Sequence, residues 1–255
     1  MICTLLRLAG LFAAPAFFSC SGKETAAAAS AERSDSATIV KLDTAQHLAG
    51  YAALRERIET KRKELAKDYT EAADDGARKE VIGRSRRYLN QMLADSLFPF
   101  WYGTTWDFNG TTQKPRCGSV ACGYFVTTTM KHAGFNIERA KMAQVASSIL
   151  IRKSCEKEKI KVFSNGRLDA FKAWLKEQPD GIYILGLDIH VSYIVKRGKK
   201  FDMVHSSYWA GTLKVTREAL TDCPIIPDNK FFMAGNLLGS DSTIVGWLEG
   251  KVIAP

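Results

Sequence analysis

Histidine is scarce in this chain, four residues in 255, and neither an internal repeat nor a nucleic-acid-binding module is visible. Beyond residue 20 no apolar run is long enough to cross a bilayer. These absences exclude a repeat array, a membrane-spanning body and a reader of DNA or RNA. The net charge of +9 is spread over clusters such as RERIETKRK, RSRR and KRGKK. An anionic surface or polymer fits that pattern as a partner, and so do ordinary solvated faces.

The N-terminus, MICTLLRLAGLFAAPAFFSC, has one early positive charge at Arg7 and an apolar run from Leu8 to Phe18. That run is short for a span and reads as the core of a secretory signal over residues 1–19. FFSC resembles a bacterial lipobox, which implies lipidation of Cys20 and a membrane anchor there; an ordinary cleaved signal is the rival. Residues 20–40 are rich in Ala, Ser and charge and read as a flexible tether, with an alanine-rich helix as the alternative for part of them.

Six cysteines divide unevenly. Cys3 leaves with the leader and Cys20 takes lipid, so Cys117, Cys122, Cys155 and Cys223 stay in an exported domain. With Cys122 as a free thiol, one bridge remains possible, for example Cys155 to Cys223.

Residues 41–76 form a charged, helical accessory segment, in which Leu54, Ile58 and Leu65 recur at near-helical spacing and His47 is expected in solvent. A second helix is expected over 77–96, with an apolar stripe of Ile82, Leu89, Leu93 and Leu97, ended by Pro99. The loop FPFWYGTTWDFNGTTQKPRCGS follows, dense in aromatics, and is a candidate cleft wall.

A helix then begins at Cys122 and runs to His132, before Gly134. Helices are expected over 139–151 and 168–177, and His132 is expected to face solvent. The rest is β-rich: GIYILGL, IHVSYIVKR, KFDMVHSS, GTLKVT, KFFMAGNLL and STIVGWL. Helices first and strands later predict an α+β domain over 77–255 on an antiparallel sheet.

A thiol at a helix start ahead of two strand histidines is the order of parts that nucleophilic cysteine chemistry needs. Only the thiolate attacks carbonyls well, and helix N–H groups with an imidazole favour it. One histidine takes and returns the proton, while a second polar group fixes its tautomer. Cys122, His190 and His205 fill these roles.

At these residues the chain resembles the NlpC-type, papain-like cysteine peptidases of bacterial cell walls. ACGYFV corresponds to the nucleophile string DCSGFV, HVSYIV to the base string HVGIYV, and MVHSS to a third string like VIHAS. FPFWYGTTW resembles the PYVWGG-like loop and offers Tyr102 near the nucleophile, with Trp101 and Trp106 as further substrate-binding or core residues. The resemblance implies an amide bond in peptidoglycan stem peptides as the substrate, no cofactor and no metal. Ala121 and Gly123 depart from the family's Asp and Ser. A CHAP-type amidase, with Asp188 or Asn236 as the orienting residue, is one alternative. A zinc site of Cys117, Cys122, His190 and His205, and a binding lipoprotein without turnover, are two more.

Overall fold

The computed structural model describes residues 25–255, with side chains described from residue 43. The expected leader and Cys20 lie outside the described residues. Helix α1 covers Thr25–Glu71, so the backbone is helical from Thr25 onward, where a flexible tether was expected up to residue 40. Among the described residues no helix is long and apolar enough to cross a membrane.

Residues from Thr44 on form one compact unit. The boundary expected at 76/77 therefore does not separate two bodies. Tyr51, Leu54, Ile58 and Leu65 of α1 are buried in one cluster with Leu89, Trp101, Phe125 and Trp247. Each such aliphatic side chain contributes roughly 1.5–3 kcal/mol, enough to make α1 part of the domain. Its carboxylates pair with basic residues: Glu59 with Arg62, and Asp68 with Arg84 of the following helix.

Helix α2 (Asp75–Gln91) starts at Asp74, whose side chain accepts from Ala77 N–H at 2.8 Å. A π-helical turn, Met92–Leu97, leads into the short α3 (Phe98–Trp101). Pro99 thus does not end the helix. It sits in the first turn of α3, where a missing N–H costs little.

Helix α4 (Cys122–His132) is followed by Gly134 with φ +92°, a left-handed position that suits glycine. The single helix expected over 139–151 is two, α5 (Arg139–Ala143) and α6 (Ser147–Ser154). Helix α7 spans Leu168–Glu177.

The chain is α+β. Strands β2 (Ile160–Phe163), β3 (Gly181–Gly186), β4 (Val191–Arg197), β5 (Lys200–Ser206), β6 (Val215–Ala219) and β7 (Phe232–Asn236) build one antiparallel sheet in the order β2-β7-β3-β4-β5-β6. Both faces are covered. Ile182, Tyr193 and Val204 join the cluster containing α4, while Tyr183, Ile194 and Met203 join Phe171 and Leu175 of α7. Alternation along each strand sends neighbours to opposite layers, which is why these strands read as continuous apolar runs.

STIVGWL is not a strand. It lies in helix α8 (Asp241–Glu249), where Ser240 Oγ accepts from Thr243 N–H at 3.1 Å and Gly250 closes the end at φ +70°. Ile244, Trp247 and Leu248 share the buried face at helical spacing, so caps and tertiary burial override the β-branched run. A parallel pair, β1 (Asn136–Ile137) with β8 (Val252–Ile253), was not foreseen.

Candidate active site

Cys122 opens α4 at the end of a pinned loop. Ala121 N–H donates to Gly110 O at 2.8 Å, and Ser206 Oγ donates to Val120 O at 2.7 Å. A Cβ on Gly123 would lie 2.2 Å from the Ala143 carbonyl oxygen. Only glycine lets the end of α5 approach the start of α4 this closely, which accounts for glycine at position 123.

The Cys122 sulfur meets the backbone N–H groups of Val191, Gly123 and Cys122 itself. Burial outweighs them and pushes the thiol's pKa up. The expected low-pKa thiolate is therefore not the resting form. The helix start supplies N–H groups, but the apolar surroundings favour the neutral thiol.

His190 sits just before β4, one residue from Val191, and is 2% exposed. Its Nε2 lies 2.9 Å from His205 Nδ1, and His205 Nε2 lies 2.7 Å from Glu218 Oε1. Strand pairing produces the second contact. His205 is opposite Thr216 and Met203 opposite Glu218, so Glu218 is the diagonal neighbour of His205 on one face. The hydrogen bond from His205 holds the Glu218 carboxyl below its ordinary pKa, and Cys223 also hydrogen-bonds to it.

With His205 neutral, these contacts place the protons. A carboxylate can only accept, so His205 carries its proton on Nε2. Neutral His205 then accepts at Nδ1, His190 donates from Nε2, and His190 Nδ1 holds a free lone pair. That Nδ1 is buried and has no hydrogen-bond partner among the described residues. Burial, and then His205, hold the His190 imidazole well below its usual pKa, so it is neutral.

Cys122 lines a cavity of about 810 Å³ together with Trp106, Phe108, Tyr124, Ile189 and Tyr208. Tyr208 packs edge-on to His190, with ring centroids 5.2 Å apart. Trp106 is thus a cleft residue. Trp101 is not: it is fully buried, with Nε1 donating to Tyr51 Oη at 2.7 Å. Tyr102 is half-buried beside Arg217 and does not line the cavity.

The other orienting candidates are engaged elsewhere. Asp188 Oδ2 accepts from Lys230 N–H at 2.7 Å. Asn236 lies on β7, which β3 separates from β4. The zinc set weighed as an alternative is not among the grouped donors, and Cys117 is exposed on the loop before α4. The cluster of ligand type among the described residues is His205, Glu218 and Cys223, whose donor atoms lie within 4.8 Å of one another.

Cys155 and Cys223 are free. They belong to opposite core layers, which explains why no bridge joins them. His47 Nε2 lies 3.0 Å from Phe100 O and its ring packs on Phe100, so it is not simply solvated. His132 is buried rather than solvent-facing, because α1 covers that side of α4. Its Nδ1 lies 2.8 Å from Tyr51 Oη.

Glu218 is the member of this cluster that sequence reading missed. Alternation in VTREA puts Thr216 and Glu218 on one face, but the pairing with His205 depends on the register between β5 and β6. Comparison with protein-family models, with curated proteins and with solved structures finds no match.

Proposed function

We propose that this protein is a cysteine hydrolase of papain-like, NlpC-type design, exported and lipid-anchored at Cys20, that cleaves an amide bond in peptidoglycan stem peptides. One observation carries the enzymatic reading. His190 Nδ1 is left without a partner by the His205–Glu218 chain, one residue from the Val191 N–H that meets the Cys122 sulfur.

In this mechanism His190 Nδ1 takes the thiol proton as the sulfur attacks the carbonyl carbon. His205 and Glu218 stabilise the imidazolium that forms. N–H groups at the start of α4 receive the oxyanion. The C–N bond breaks, the leaving amine takes the proton from His190, and an acyl-thioester remains on Cys122. Water, deprotonated by the same Nδ1, then releases the acid and restores the thiol. A neutral thiol and a neutral imidazole at rest, not yet hydrogen-bonded to each other, fit this sequence, because the proton moves only when substrate is present.

The substrate rests on the three strings ACGYFV, HVSYIV and MVHSS and on the leader ending in FFSC. The test is incubation of the protein with muropeptides and mass spectrometry of new termini, beside Cys122→Ala. New termini from the wild type alone support the reading. Binding without cleavage by either protein favours a non-catalytic lipoprotein, which the raised thiol pKa also suits.

A further inference from the structure

The cavity beside Cys122 carries information about the substrate that the catalytic residues do not. None of the side chains lining it is an Asp, Glu, Lys or Arg. Its walls are aromatic and aliphatic, with Asn109, Thr111 and Gln144 as neutral polar groups. In a chain of net charge +9, a cleft without a single ionised side chain is specific.

The apolar surface also continues outward. Phe108 is 80% exposed and Ile189 76% exposed, and both line the cavity while facing solvent. Trp209 and Leu213 are also exposed, on the loop whose Leu213 carbonyl accepts from Trp106 N–H at 2.9 Å. Large apolar side chains exposed together around a pocket mark a ligand surface.

The guanidinium near this cleft, that of Arg139, is not among the lining residues. Arg139 stacks 4.8 Å over the Tyr124 ring, its Nε donates to Thr128 Oγ1 at 2.6 Å, and an Nη donates to Thr111 O at 2.6 Å. Gln144 Nε2 is held by Tyr124 Oη at 2.9 Å. A carboxylate brought beside the nucleophile would lose water and find no cationic side chain among the lining residues, Arg139 standing outside the lining, which is costly.

We infer that the acyl group seated beside Cys122 is uncharged and hydrophobic, so that the enzyme selects amides whose acyl side is an apolar chain over those bearing a carboxylate. This rests on the hydrolase reading for its chemistry. The bond formed is Cys122 S–C(acyl), the bond broken is C–N, the proton passes through His190 to the amine, and water completes turnover. Within stem peptides it restricts cleavage to a bond with a neutral acyl side.

The test uses the full chain as Cys122→Ala, titrated calorimetrically with N-octanoylglycinamide and N-succinylglycinamide. The octanoyl amide is expected to bind at least about tenfold more tightly, since each buried methylene adds and the buried carboxylate subtracts. Ile189→Glu and Phe108→Glu, at exposed positions, are expected to shrink that preference. Equal or tighter succinyl binding, or no octanoyl binding, overturns the inference. Turnover by the wild type is measured on both amides. Octanoyl preference in binding without any turnover would leave the apolar cleft standing and sink the hydrolase reading instead.

Discussion

His205 donates its Nε2–H to Glu218 Oε1 across 2.7 Å, and with His205 neutral this contact sets the tautomer of a histidine that Glu218 does not touch. Through His205, the carboxylate on edge strand β6 leaves His190 with a lone pair on Nδ1. Without it, His205 is free to carry its proton on Nδ1, and His190 is then driven to the tautomer with Nδ1 protonated and unable to act as a base.

Glu218→Ala should therefore lower turnover by roughly 10²-fold, within the range that general-base positioning supplies. Glu218→Gln should recover most of it, because the amide oxygen can still accept from His205. Removing the negative charge makes the His190 imidazolium less stable, so the acid limb of the rate profile in Glu218→Gln should move to lower pH. Full activity in Glu218→Ala, or an unshifted profile in Glu218→Gln, would count against the relay.

A second histidine governs stability. Burial, with Arg55, Arg139 and Lys131 nearby, pushes His132 down from 6.5 to about 3. The unfolded chain thus binds a proton between those values that the folded chain does not, and stability falls as pH drops through that window. Its share of the loss is at most roughly 1.4 kcal/mol per pH unit. Urea midpoints measured between pH 7 and 4 should decline, and His132→Gln should decline less steeply. Tyr51→Phe, which orphans His132 Nδ1, should cost about 1–3 kcal/mol at neutral pH.

Thiol reactivity separates the four cysteines. Cys117 is exposed, Cys122 partly covered, and Cys155 and Cys223 buried. Burial raises the Cys155 pKa and pushes Cys223 to about 12. Brief iodoacetamide treatment at pH 7 should label Cys117 first, Cys122 more slowly, and the other two only after unfolding. Labelling of Cys122 should accelerate as pH rises. Fast, pH-independent alkylation of Cys122 would show a preformed thiolate and contradict the neutral resting thiol.

The helix at Cys122, the α7 span and the antiparallel character of the sheet were legible because local signals agree with tertiary packing there. Gly134 marks a helix end, and β-branched runs lie on covered strands. STIVGWL misled because its caps, Ser240 and Gly250, outweigh strand propensity only once Trp247 and Leu248 are buried. The π turn at Met92–Leu97 hid Pro99 inside a helix, since a bulge leaves no composition signature. In the candidate site, the strings singled out His190 and His205, whose rings the structure brings together. Trp101 was misjudged because an aromatic beside a loop can turn inward to Tyr51 as readily as outward to a cleft. Glu218 was unreadable because strand register across β5 and β6 is a property of the sheet and not of either strand.

The nucleophile can be trapped directly. The wild type is mixed with a hydrolysable amide, quenched in acid within one turnover, and peptide-mapped by mass spectrometry. The account predicts the substrate's acyl mass on Cys122, reversed by hydroxylamine and absent in His190→Ala. Cleavage that proceeds with no adduct on Cys122, or at undiminished rate in Cys122→Ala, would contradict it.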